Sequence, residues 1–118
     1  MSGKIMSQYG EITIDEHVLA TIAGTAAMEC YGLVGMATKT AAGGIVELLK
    51  REQSSKGVKI TTKDNLITVD LFIIVEFGTK ISVVANNIIE KVKYNIENLT
   101  GMNVDKVNIH VQGIRVEK

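Results

Sequence analysis

The chain has 118 residues, 46% hydrophobic and 22% charged, and its 13 basic and 13 acidic side chains leave no net charge. That balance removes the broad attraction to phosphate on which nucleic-acid modules depend. A single cysteine excludes an intrachain disulfide and fits a reducing compartment, and no run approaches the roughly 20 apolar residues of a membrane span.

The length fits one domain spanning residues 1–118. No apolar leader core marks the N-terminus, so the expected location is the cytoplasm, with any membrane association borrowed from a partner. Isoleucine and valine number 28 against 7 leucines, which favours a core containing a sheet over a helical bundle. There is no proline, so glycine must do the punctuation.

Residues 1–8 are polar and weakly patterned, an end left to fray. Gly10-Glu11-Ile12-Thr13-Ile14 alternates as a short strand. Asp15 then suits the N-cap of a helix, with Glu16 in its first turn. Val18, Leu19, Ile22, Ala23, Ala26 and Cys30 trace one face of that helix to about residue 30. Its many small residues (Ala20, Ala23, Gly24, Ala26, Ala27) allow close packing on a neighbour. Gly32 fits the left-handed C′ position. Tyr31-Gly32-Leu33-Val34-Gly35-Met36 reads as a short buried strand or an extended turn.

A flexible loop over 38–44 leads to a second helix, residues 45–53, with Ile45, Leu48 and Leu49 inward. Val58, Ile60 and Thr62 alternate with Lys59, Thr61 and Lys63 in a half-buried strand. Asp64-Asn65 tolerates positive φ and predicts a hairpin. The strand after it is the longest in the chain. Val69, Leu71, Ile73, Val75 and Phe77 share one face, and Thr68, Asp70, Phe72, Ile74 and Glu76 share the other. Beyond Gly78, apolar positions 81, 84, 85, 88, 92, 96 and 99 predict a helix over 81–99 with Glu90, Lys91, Lys93 and Glu97 outward, closed by Gly101. Val107, Ile109 and Val111 alternate with Asn108, His110 and Gln112 in a final strand, whose parity shift at Gln112-Gly113 implies a bulge.

The expected architecture is α+β in two layers. A mixed sheet holds a β-hairpin and a strand–helix–strand unit, and about three helices pack on it. A right-handed crossover would set the long and final strands parallel, with the antiparallel alternative open.

The chemistry offers no reactive constellation. His17 and His110 lack metal-ligand spacing, and Cys30 lacks the basic neighbour that would activate a thiol. Asp70 and Glu76 stand about 20 Å apart by strand rise, too far for paired acid–base work. No cofactor, metal or small-molecule substrate is expected. Phe72 and Ile74 fall on the outer sheet face with Lys59, Thr61 and His110 near them. Either a third layer covers them, or they form an apolar patch for self-association or a partner. A second class of function is a KH-like nucleic-acid module, using Gly32-Leu33-Val34-Gly35 as a backbone clamp beside the basic stretch 39–63.

Several segments carry a family resemblance. Tyr9-Gly10-Glu11-Ile12-Thr13-Ile14, Ile22-Ala23-Gly24-Thr25-Ala26-Ala27 and Tyr31-Gly32-Leu33-Val34-Gly35-Met36 resemble the start of the alkaline-shock, or envelope-stress-response, proteins of Gram-positive bacteria. The run from Val69 through Phe77-Gly78-Thr79-Lys80-Ile81, then Leu99-Thr100-Gly101 and Val107-Asn108-Ile109-His110-Val111-Gln112-Gly113-Ile114, resembles that family's long strand, helix and last strand. Ser82 stands where members often carry proline, and the charged tails of larger relatives have no counterpart. The resemblance implies a small cytoplasmic α/β protein without a catalytic centre, serving envelope homeostasis. It also implies partners: a homo-oligomer, a membrane-anchored protein, or both.

Overall fold

A computed structural model describes residues 3–38 and 48–116. The elements run β1 (Gly3–Ser7), β2 (Gly10–Ile14), α1 (Glu16–Met28), β3 (Leu33–Met36), a 3-10 segment (Arg51–Gly57), β4 (Val58–Lys63), β5 (Leu66–Glu76), α2 (Ile81–Thr100) and β6 (Asn103–Arg115). This is the expected α+β class with a mixed sheet.

β5 is the spine. Its alternation holds: Ile67, Val69, Leu71, Ile73 and Val75 are buried, while Thr68, Asp70, Phe72 and Ile74 are only partly so. One edge of β5 pairs antiparallel with β4 and then, further along, with β3; the other pairs parallel with β6. The β4–β5 turn is the expected one, since Asp64 and Asn65 take φ of 51° and 64° and match the twist of the strands they join. The parallel β5–β6 pair resolves the alternative left open by the sequence. Its register slips twice, leaving Asp105 and Gln112 as extra residues, the second at the predicted bulge.

α2 lays Val84, Ile88, Val92 and Ile96 on the sheet and ends at Gly101, whose φ of 77° makes it the left-handed cap. α1 packs beside it through Leu19, Ala23, Ala26 and Ala27. Burying these four apolar α2 side chains contributes about 1.5–3 kcal/mol each before the cost of ordering them.

Several expectations need correction. Gly3–Ser7 is a strand paired with β2, and Ile5 and Ile14 pack on the core, so pairing holds part of the end expected to fray. In α1, Val18 is 46% exposed whereas Ala20 is buried, so the buried face is the small-residue one. Asp15 occupies the N-cap but makes no side-chain cap bond. Gly32 is left-handed, with φ of 87°, yet lies beyond the C-cap at Glu29 and serves the turn into β3. The helix expected over 45–53 is displaced: Ile45 falls outside the described residues, Leu48 bridges Ala37, and the helical segment is the 3-10 turn Arg51–Gly57. That segment settles against α1 because Gly24 leaves room, where a Cβ would meet Ser54 Oγ at 3.0 Å. Phe77 is 67% exposed, and β5 ends one residue before it.

Candidate functional site: the open sheet face

Both α-helices lie on one face of the sheet, sharing a single core cluster with the inward side chains of β3, β4, β5 and β6. The other face is built by the opposite parity of the same strands. Residues directly opposed in adjacent strands project to the same side, so the register alone assembles it. Lys59 opposes Asp70 and Thr61 opposes Thr68 on the β4 side, while Asn108 opposes Asp70 and His110 opposes Phe72 on the β6 side. The five residues singled out from sequence, Lys59, Thr61, Phe72, Ile74 and His110, therefore lie on one surface.

Its centre is organised. The His110 imidazole stacks on the Phe72 ring with centroids 4.7 Å apart and planes 15° from parallel. Stacking aims His110 Nε2 at Asp70 Oδ1, 3.0 Å away, and Asn108 Nδ2 donates to the same oxygen at 3.1 Å. Burial would raise the Asp70 carboxyl, but the His110 and Asn108 hydrogen bonds, with the charges of His110 and Lys59, outweigh it and hold its pKa below the ordinary value. Asp70 and Asn108 were not among the expected site residues. Their meeting depends on the parallel register of strands 38 residues apart in sequence, which neither strand's own pattern reveals.

Ile74 is set differently. Its cross-strand neighbours are Gly35 on β3 and Gly113 on β6, so it stands in a shallow trough with no side chain directly beside it in either strand. At the Gly35 side the trough is closed by Leu48, whose Cδ1 would lie 2.8 Å from a Cβ there. Lys63 opposes Leu66 on β4, and on β6 Lys106 and Arg115 oppose Thr68 and Glu76. With Lys59, they rim the face with four exposed cations. The face thus has an apolar centre, one carboxylate held internally, and a basic margin.

Among the described residues no group of His, Cys, Asp and Glu could hold a metal ion. Burial pushes the Cys30 thiol up and its Sγ lies 3.6 Å from the Ala26 carbonyl, which describes a packed thiol. At the expected backbone clamp, Leu33 and Gly35 are strand residues paired with Val75 and Ile74, so this stretch is part of the sheet and not a free loop. Lys50, Lys56, Lys59 and Lys63 of the basic stretch are exposed, and 39–47 lies outside the described residues.

A family model matches residues 4–116: the alkaline-shock protein 23 family, described as having a cell envelope-related function. The chain belongs to that family. It is 47% identical over 117 residues to the uncharacterized protein YloU of Bacillus subtilis, covering 98% of both chains. It is 34% identical to YqhY of the same organism, over 92% of this chain and 79% of that one. A Streptococcus pyogenes stress response regulator, a gls24 homolog, is 26% identical over 92% of this chain but only 61% of its own length. No solved structure matches. Membership fits the expected envelope and stress setting, and no helix among the described residues is long and apolar enough to cross a membrane.

Proposed function

We propose that this chain is a non-enzymatic interaction protein of the envelope stress response, acting in the cytoplasm by docking a membrane-anchored partner on its open sheet face. One observation carries the reading: among the described residues the α-helices cover one side of the sheet, and the other holds the partly exposed Phe72 and Ile74 inside a basic margin. Four cations against Asp70 and Glu76, with Asp70 already held by His110 and Asn108, favour a partner segment that is apolar on one side and acidic at its edges. The Ile74 trough suits one inserted aliphatic or aromatic side chain as an anchor.

The test is Phe72→Asp combined with Ile74→Asp. Both side chains are only partly buried, so the variant should keep the native circular dichroism. Cross-linked pull-downs from membrane and soluble fractions should lose the membrane-fraction partner with the variant. An unchanged partner set from a folded variant would remove this face as the docking surface.

A further inference from the structure

On the helix side of the sheet a cavity of about 420 Å³ lies between the first turns of α1, the end of the 3-10 segment and β4. Two close approaches frame it. Ser54 presses on Gly24 of α1, and at Gly57 the chain meets the end of β3, where a Cβ would stand 2.6 Å from the Ala37 carbonyl. Ser55 and Lys56 span the interval, and Ala20, one turn before Gly24, is too small to fill the space beneath them. The floor is apolar: Ala20, Val58 and Ile60 line it and all three are buried. The rim is divided by charge. Asp15, with Glu16 after it, stands on the α1 wall, and Lys56, beside Ser55, on the wall built by the 3-10 segment. Asp15 and Lys56 are exposed, and the Asp15 side chain makes no cap bond. Among the described residues no ion pair joins the two.

We propose that this cavity binds a free aliphatic α-amino acid, held as a ligand and not transformed. Its ammonium group meets Asp15, its carboxylate meets Lys56 and the Ser55 hydroxyl, and its side chain lies on Ala20, Val58 and Ile60. The charge pattern selects the class. A ligand of one sign gains from one wall and is opposed by the other, whereas a zwitterion gains from both. Phosphate-bearing ligands are disfavoured, because two carboxylates stand on the α1 wall. The floor has no polar side chain to pair with a buried polar group, so the part of the ligand that reaches it is apolar. The volume falls near the lower end of the roughly 300–1,000 Å³ range of ligand sites, which suits one amino acid better than a nucleotide or a long peptide.

The cavity and the docking face lie on opposite sides of the sheet, so either can fail without the other: Phe72→Asp with Ile74→Asp should leave amino-acid binding intact. The purified, isotope-labelled full chain is titrated with L-leucine into the tens of millimolar and followed by amide chemical shifts. Saturable shifts should appear at Ala20, Val58 and Ile60 and at the residues of the rim. Isocaproate, which lacks the ammonium group, isoamylamine, which lacks the carboxylate, and L-glutamate, whose side chain is charged, should each bind about tenfold more weakly or worse. Lys56→Gln and Asp15→Asn should each raise the dissociation constant for leucine about tenfold. Both positions are exposed and asparagine caps a helix as well as aspartate does, so both variants should keep the native circular dichroism. Absence of saturable shifts with leucine overturns the proposal, as do shifts confined to other parts of the chain. Isocaproate or isoamylamine binding as tightly as leucine overturns the zwitterion, and glutamate doing so overturns the role of the floor. Unchanged leucine affinity in the two folded rim variants overturns the assignment to this cavity.

Discussion

Replacing Gly32 by alanine should cost more than a surface glycine-to-alanine change, for two separable reasons. Its φ of 87° lies in the left-handed region, where a side chain costs roughly 1–2 kcal/mol. The added Cβ would also sit 2.6 Å from Val84 Cγ2, and Val84 is 3% exposed on the first turn of α2, so it has little room to retreat. Overpacking of that kind costs about 1–3 kcal/mol. The sum is about 2–5 kcal/mol, or a fall in Tm of about 10–20 °C for a chain of this length. Thermal and urea unfolding followed by circular dichroism would measure it. The double variant with Val84→Ala separates the causes, because it relieves the clash and leaves the backbone strain. A double-mutant cycle should therefore return a favourable coupling of about 1–2 kcal/mol. A Gly32→Ala protein within about 0.5 kcal/mol of wild type, or a cycle without coupling, would refute the reasoning.

Two further predictions concern carboxylates. Asp70 has a folded pKa depressed below its ordinary value, so its contribution is present above the unfolded pKa, near 4, and is lost as pH falls through the folded one. Asp70→Asn should lower stability at neutral pH by about 1–2 kcal/mol, the scale of hydrogen bonds to a charged acceptor. Its unfolding free energy should then fall less than that of the wild type as the pH is taken below about 4, and parallel acid titrations would argue against the His110–Asp70–Asn108 cluster. Glu97→Ala removes the acceptor of the Val104 N–H. It should cost about 1 kcal/mol and speed hydrogen exchange at that amide while leaving the rest of β6 as protected as before.

How far the sequence could be read depended on the range of the interaction that decides each element. The parity of β5, the Asp64-Asn65 turn, the α2 stripe and the Gln112 bulge are set by residues within a few positions of one another. The 3-10 segment is not. Its place depends on Gly24 letting Ser54 approach α1, a contact made 30 residues away, and a local helical pattern over 45–53 gave no sign of it. β1 escaped notice because much of its apolar support lies in β2 and around Met102, against which Gly3 sits tightly. At the site, Lys59, Thr61, Phe72, Ile74 and His110 were within reach because strand parity places them. Asp70 and Asn108 became partners only once β5 and β6 were known to run parallel in this register.

β6 lays thirteen residues along the eleven of β5. The surplus at Asp105 and Gln112 can be absorbed only by bending, and each bend adds right-handed twist. Fibres grow by stacking straight, flat strands of uncharged β-branched sequence. A warped ribbon offers a neighbour one short zone of contact and then curves away. The chain can thereby keep a hazardous-looking run such as Val107 to Val111 while limiting how far any assembly through it propagates.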